Sequence, residues 1–171
     1  MKVVGIIGVP ASGKTTLMRA VIECLGPGQG FKFGLLHGTQ YKACYLLGLY
    51  NVGLFAGTDR LSMAVQPDAI RFLRWLATQA PMATVLFEGD RLTRNQFLSV
   101  PDIDYRLFVL TVTGAELDRR HAARRDTQSY HFKRSRATLV ASICERFRVA
   151  RIPHELPIDT APARDAILAA I

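Results

Sequence analysis

The chain has 171 residues and a mass of 19.0 kDa, enough for one ordinary domain and too little for two. Hydrophobic residues make up 49% and charged residues 21%, a composition that excludes a disordered chain, and no apolar run approaches the roughly 20 residues of a membrane span. The net charge of +8 points to an anionic partner.

Taken in chain order, Lys2 to Val9 is a Val- and Ile-rich run that reads as a buried parallel strand and not as a signal peptide. Gly13 to Leu25 places Leu17, Ala20, Val21 and Leu25 near helical spacing, with Gly26 as a stop. Phe31 to His37 and Tyr41 to Tyr50, joined around Gly38-Thr39, read as two strands of a hairpin. Pro67 opens a helix through Ile70, Leu73, Trp75 and Leu76, with Phe72 and Trp75 as core candidates. Thr84 to Phe87 and Tyr105 to Val112 are further strands. A helix over Glu116 to Arg125, a polar tip over Thr127 to His131 and a helix over about Arg136 to Phe147 follow. A short strand near Glu155 to Ile158 and a helix from Ala163 end the chain, with Asp159 between them as a cap or a neighbour of a nucleobase. Alternation of strands and helices predicts a three-layer α/β fold around a mainly parallel sheet, formed by residues 1–171 as one domain. Three cysteines, Cys24, Cys44 and Cys144, are odd in number and far apart. They make neither a disulfide framework nor a metal knuckle, and suit the reduced thiols of a cytoplasmic protein.

The strongest motif is Gly8-Val-Pro-Ala-Ser-Gly13-Lys14-Thr15, a match to G-x-x-x-x-G-K-[ST] lying between a predicted strand and a predicted helix. Gly8 and Gly13 let the backbone curl so that its N–H groups face a polyphosphate. Pro10, Ala11, Ser12 and Thr16 complete the nucleotide-binding run. Lys14 reaches the β- and γ-phosphates of ATP, the Thr15 hydroxyl ligates Mg²⁺, and the helix dipole adds positive potential. A P-loop alone does not fix the reaction.

A phosphotransferase needs further acids and a mobile cationic segment, and each has candidates. Asp59, beside Arg60 in Gly57-Thr-Asp-Arg-Leu-Ser62, can accept an acceptor proton while Arg60 steadies a phosphate; a helix cap with an exposed ion pair is the structural alternative. Thr84-Val-Leu-Phe-Glu-Gly-Asp-Arg91 is an apolar strand ending in acids at the edge where α/β sheets bind ligands. Glu88 and Asp90 are candidate Mg²⁺ residues or acceptor bases, Arg91 a phosphate contact, and a solvated strand-end turn the alternative. Residues 119–148 hold eight Arg and one Lys against Asp126 and Glu145, most of the net charge. Arg120 and Arg124 share a helix face and can point into a cleft as the arginines of a lid over about 119–136. His121 and His131 show no metal spacing. Tyr41, Tyr45 and Tyr50 suit either base stacking or a half-buried hairpin.

The P-loop, the block Gly57 to Pro67 (GTDRLSMAVQP) and the block Phe87 to Leu92 (FEGDRL), followed by the arginine-rich segment, resemble small phage P-loop kinases. In particular they look like the 5-hydroxymethyluracil DNA kinases of phages with hypermodified thymidine. The blocks span residues 5 to 92. The resemblance implies a nucleoside-monophosphate-kinase-like fold with a lid, and an ATP- and Mg²⁺-dependent enzyme acting on DNA that already contains 5-hydroxymethyluracil. Phosphorylating the base's hydroxymethyl oxygen would make a leaving group for later modification. It carries over Gly8, Gly13, Lys14 and Thr15 as nucleotide residues; Asp59, Arg60, Glu88, Asp90 and Arg91 match the blocks. The target group lies in the major groove, so the enzyme must approach that groove or extrude the nucleotide. Arg134, Arg136, Arg146, Arg148 and Arg151 are candidates for contacts to the DNA backbone. The alternatives are a deoxynucleoside monophosphate kinase, with Arg60 and Arg91 on the acceptor phosphate, and a nucleotide- or DNA-binding module with little turnover.

Overall fold

A computed structural model describes residues 1–50, 56–123, 128–153 and 160–171. Seven strands form one sheet in the order β2-β3-β4-β5-β1-β6-β7. β1 (Lys2–Ile7) lies between β5 (Thr84–Glu88) and β6 (Asp104–Thr111), parallel to both; β4 (Cys44–Leu47) extends the parallel set beyond β5, and β7 (Val149–Pro153) beyond β6. β2 (Gln29–Phe33) and β3 (Leu36–Tyr41) are antiparallel additions next to β4. The fold is α/β with a mostly parallel sheet covered on both faces.

The two faces follow from alternation along the strands. Leu17, Met18 and Val21 of α1 (Lys14–Leu25) and Ala163 and Ile167 of α6 (Ala161–Leu168) pack with Val4, Ile6, Cys44, Leu46 and Leu86 on one side. On the other, Phe72, Leu73 and Leu76 of α2 (Gln66–Gln79), Phe97 of α3 (Asn95–Leu98) and Ile143 of α5 (Tyr130–Arg146) cover Val3, Val85, Phe87 and Val109. α4 (Gly114–Ala123) follows β6. Phe72 is buried as expected, whereas Trp75 is 46% exposed and lies against Phe33 and Phe72 at the margin of the core.

The segment expected to be one hairpin forms three strands, and Gly38-Thr39 lies inside β3 instead of at a turn. The turns fall at Gly34-Leu35 and Lys42-Ala43, where Gly34 (φ 59°) and Lys42 (φ 53°) take the left-handed conformation that a two-residue connection requires. Asp68 of α2 fixes the first turn by accepting the Leu35 amide at 2.7 Å, and is itself paired with Arg71. The helix expected from Arg136 begins at Tyr130, because Ser129 caps it by accepting the Phe132 amide at 3.2 Å. The last strand forms at Val149–Pro153; the expected position, 155–158, and Asp159 lie outside the described residues. Cys24, Cys44 and Cys144 are all free thiols. Among the described residues no helix is long and apolar enough to cross a membrane.

Candidate active site

The parallel strands end on a common edge, and the candidate residues gather there. β1 stops at Ile7, the chain loops through Gly8 to Gly13, and α1 starts at Lys14. No side chain caps α1, so its first amides remain directed at the loop. Ala11 is held at φ 63°, a left-handed conformation costly for a residue with a Cβ. Lys14 Nζ donates to the carbonyls of Gly8 at 2.8 Å and Val9 at 3.1 Å, which lays the ammonium across the mouth of its own loop. Ser12 is fully buried and Thr16 exposed; Pro10 is partly exposed at the loop's crest.

The adjoining strand supplies the acid. Glu88 ends β5, pairs in register with Ile6 of β1, and is 2% exposed. The Thr15 hydroxyl donates to Glu88 Oε1 at 3.1 Å, so the proposed Mg²⁺ residues Thr15 and Glu88 meet directly. Burial pushes the Glu88 carboxyl up to about 7, against the pull of Lys14 and with the help of Asp59. Asp90 is raised in the same way, burial again outweighing Lys14.

The second block is fastened to the first. Asp59 and Arg60 lie in a 3₁₀ turn, Thr58–Arg60, and both are exposed. The Thr58 hydroxyl donates to the Glu88 carbonyl at 2.7 Å, and Arg91 Nη2 donates to the Asp59 carbonyl at 3.0 Å. Gly57 stands at φ 75°, and a Cβ there would collide with Glu88 Oε1; only glycine admits the acid at this point. Asp59, Glu88, Asp90 and Lys14 therefore share one electrostatic neighbourhood, and Arg91 joins the two blocks through the Asp59 carbonyl.

Arg120 departs from expectation. It is 6% exposed, its Nη1 donates to the carbonyls of Ala11 at 3.3 Å and Ser12 at 3.0 Å, and its Nε donates to Glu116 at 2.6 Å. Glu116, one turn earlier, turns the guanidinium toward the loop, so Arg120 braces the P-loop from behind. Arg119 is also paired with Glu116, but is exposed. Arg124 lies outside the described residues. Arg136, expected on the DNA-facing surface, points inward: its Nε is 3.7 Å from Asp90 Oδ2 and its guanidinium lies over the Phe132 ring at 4.9 Å. Arg134, Arg146, Arg148 and Arg151 are exposed.

The reading from sequence did not include Thr58 and Gly57 as site residues, nor Tyr50 as a neighbour of Glu88. The Tyr50 hydroxyl is buried beside the Glu88 carboxyl without a partner of good hydrogen-bond geometry, and burial pushes its pKa well up. Tyr45, by contrast, packs edge-on against Phe31 and Phe72 in the core. A tyrosine series at hairpin spacing carries no sign of which members reach a site.

Among the described residues no group of three or more His, Cys, Asp or Glu side chains could hold a metal ion unaided. A Mg²⁺ site needs no such group, since this ion takes one or two carboxylates and completes its shell with phosphates and water. The residues present fit that pattern: a hydroxyl already on a carboxylate, a second acid two residues on, and a cradle with its lysine in place. The sequence matches no protein-family model and none of the curated proteins.

Proposed function

We propose that this chain is a P-loop phosphotransferase. The observation that carries the reading is the coupling of Thr15, at the head of α1, to Glu88 on the neighbouring parallel strand, with Lys14 laid across the intervening loop. A polyphosphate cradle, a Mg²⁺ ligand pair and an exposed carboxylate at the rim make up a phosphoryl-transfer set.

Within that class, we infer that the protein is an ATP-dependent 5-hydroxymethyluracil DNA kinase. The motif blocks at Gly57–Pro67 and Phe87–Leu92 support it, as do the exposed arginines of α5 and β7, for which a free-nucleotide kinase has no evident use. The acceptor's hydroxymethyl oxygen attacks the γ-phosphorus of ATP, the bond from that phosphorus to the β–γ bridging oxygen breaks, and ADP leaves. Asp59, exposed at the rim, takes the hydroxyl proton. Lys14 and the loop amides hold the phosphates, and Arg120 keeps the loop in shape. Mg²⁺, when bound by Thr15, Glu88 and Asp90, would neutralise charge on the β- and γ-oxygens.

The deciding experiment is transfer from γ-labelled ATP to three acceptors in parallel: duplex DNA with 5-hydroxymethyluracil, the same duplex with thymine, and mixed free deoxynucleoside monophosphates. Label on the first alone is the expected result. Label on the free nucleotides would make the chain a nucleotide kinase, and no label on any would end the kinase reading.

A further inference from the structure

The antiparallel extension and α1 line an open cavity of about 590 Å³, bounded among others by Ile22, Lys32, His37, Thr39, Tyr41 and Tyr50. Its volume lies within the range of small-ligand sites. Strand alternation explains the lining. Phe31 and Phe33 of β2 turn to the α2 side, where they meet Phe72, which leaves Gly30 and Lys32 on the α1 side. Across the ladder, Gly30 pairs with Thr39 and Lys32 with His37. The cavity thus has an aromatic and aliphatic wall, a basic rim and small polar groups.

One lining residue connects it to the reaction centre. The Tyr50 ring bounds the cavity, while its hydroxyl is buried beside Glu88 and 2.9 Å from the point a Cβ on Gly57 would occupy. That hydroxyl is buried and faces the Glu88 carboxyl, so the ring that bounds the cavity also abuts the acid of the candidate site. Tyr41 packs over Gly28, where a Cβ would collide with its ring, and this holds the ring at the wall.

We propose that this cavity is the acceptor pocket and takes a single pyrimidine nucleotide, its base against Tyr41 and Tyr50 and its phosphate toward Lys32. This rests on the kinase reading for its chemistry but not for its occupancy. The nucleotide can come from a free monophosphate or be extruded from a DNA strand, and the two share the recognised chemistry. Pyrimidine size and the basic rim favour a nucleotide over an uncharged metabolite.

The test uses the full chain and two probes, 5-hydroxymethyl-deoxyuridine monophosphate and a fluorescently labelled single-stranded oligonucleotide with one 5-hydroxymethyluracil. Binding is measured by competition and anisotropy, and ATP binding in parallel. Tyr41→Ala should raise the Kd for the preferred probe roughly five- to hundredfold, the effect of losing one base-stacking ring, while Tyr41→Phe retains most affinity. Gly30→Leu fills the cavity: a Cβ at Gly30 meets only the Gly38 carbonyl, at 4.0 Å, so the variant should fold and keep ATP affinity while losing the probe. Preference for the oligonucleotide assigns the extruded source, and preference for the monophosphate the free one. Wild-type affinity for both probes in Tyr41→Ala and Gly30→Leu would overturn the proposal. Loss of probe binding in these variants, in a chain that transfers phosphate to nothing, would uphold the pocket and remove the kinase reading.

Discussion

Thr15 and Glu88, 73 residues apart, are joined by a hydrogen bond of 3.1 Å from the threonine hydroxyl to the glutamate carboxyl. The bond ties the first turn of α1 to the carboxyl end of β5, the strand beside β1. Glu88 is held up at about 7, first by burial. A carboxyl whose folded pKa exceeds its unfolded value contributes stability at low pH and loses it as pH rises through the folded value. The metal-free protein should therefore lose on the order of 2 kcal/mol from this group between pH 5 and pH 8. Thermal unfolding of wild type and Glu88→Gln across that range checks this; an equal pH slope in both would contradict it. Mg²⁺ with nucleotide should bind more tightly above pH 7 and release a proton, measurable by calorimetry in buffers of different ionisation heat.

Lys14→Ala should lower phosphoryl transfer by about 10²-fold or more, because the ammonium laid across the loop's mouth is removed. Asp59→Asn should cut turnover without recovery at high Mg²⁺, whereas a metal-linked loss in Glu88→Gln should respond to Mg²⁺ concentration. Normal turnover in Asp59→Asn would take the base assignment away.

Ala11 occupies a left-handed conformation that glycine adopts freely. Ala11→Gly should stabilise the protein by about 0.5–1 kcal/mol, the relief of backbone strain less the extra entropy of an unfolded glycine. A lowered melting temperature would show that the Ala11 methyl, which is nearly buried, contributes more by packing than its backbone costs.

Arg120→Ala should destabilise by about 2–3 kcal/mol, since it strips charged hydrogen bonds from the Ala11 and Ser12 carbonyls. Nucleotide affinity should fall with it. Arg119→Ala, on the exposed flank of the same helix, should leave melting within about 0.5 kcal/mol of wild type. Parallel melting curves of the two variants make the comparison.

Charge reversal at Arg134, Arg146, Arg148 and Arg151 should weaken DNA binding and flatten its dependence on salt, with ATP affinity retained. Arg136 is excluded from that set by its contact with Asp90, and its replacement should act on nucleotide binding. An unchanged salt slope in the four-residue variant would remove the DNA track.

The cradle and the acid-bearing strand were legible in the sequence because each depends on local pattern: apolar strands before Gly8 and Glu88, and fixed residues after them. The hairpin was misplaced because two glycines compete there. Gly38 looks like a turn but sits under the Phe31 ring, while Gly34 makes the turn because Asp68, 34 positions later, holds it. Arg120 carried the right charge for a lid and Arg136 the right charge for the DNA backbone. Their directions depend on Glu116 and Asp90, and charge counting does not record which carboxylate an arginine turns to. Tyr50 was indistinguishable from Tyr45 in sequence because only packing separates them: Tyr45 of β4 joins the α2 side and Tyr50, beyond the strand, joins the α1 side.

β1 has a parallel neighbour on each side, with buried side chains from Val3 to Ile7, and its carbonyls and amides are locked to β5 and β6. The loop it carries is thereby anchored to the least deformable part of the molecule. The β2–β3 extension lies at the far edge of the same sheet, separated from β1 by β4 and β5. For the phosphotransferase proposed above, this anchoring would give the phosphate donor a rigid reference point against which the acceptor is positioned.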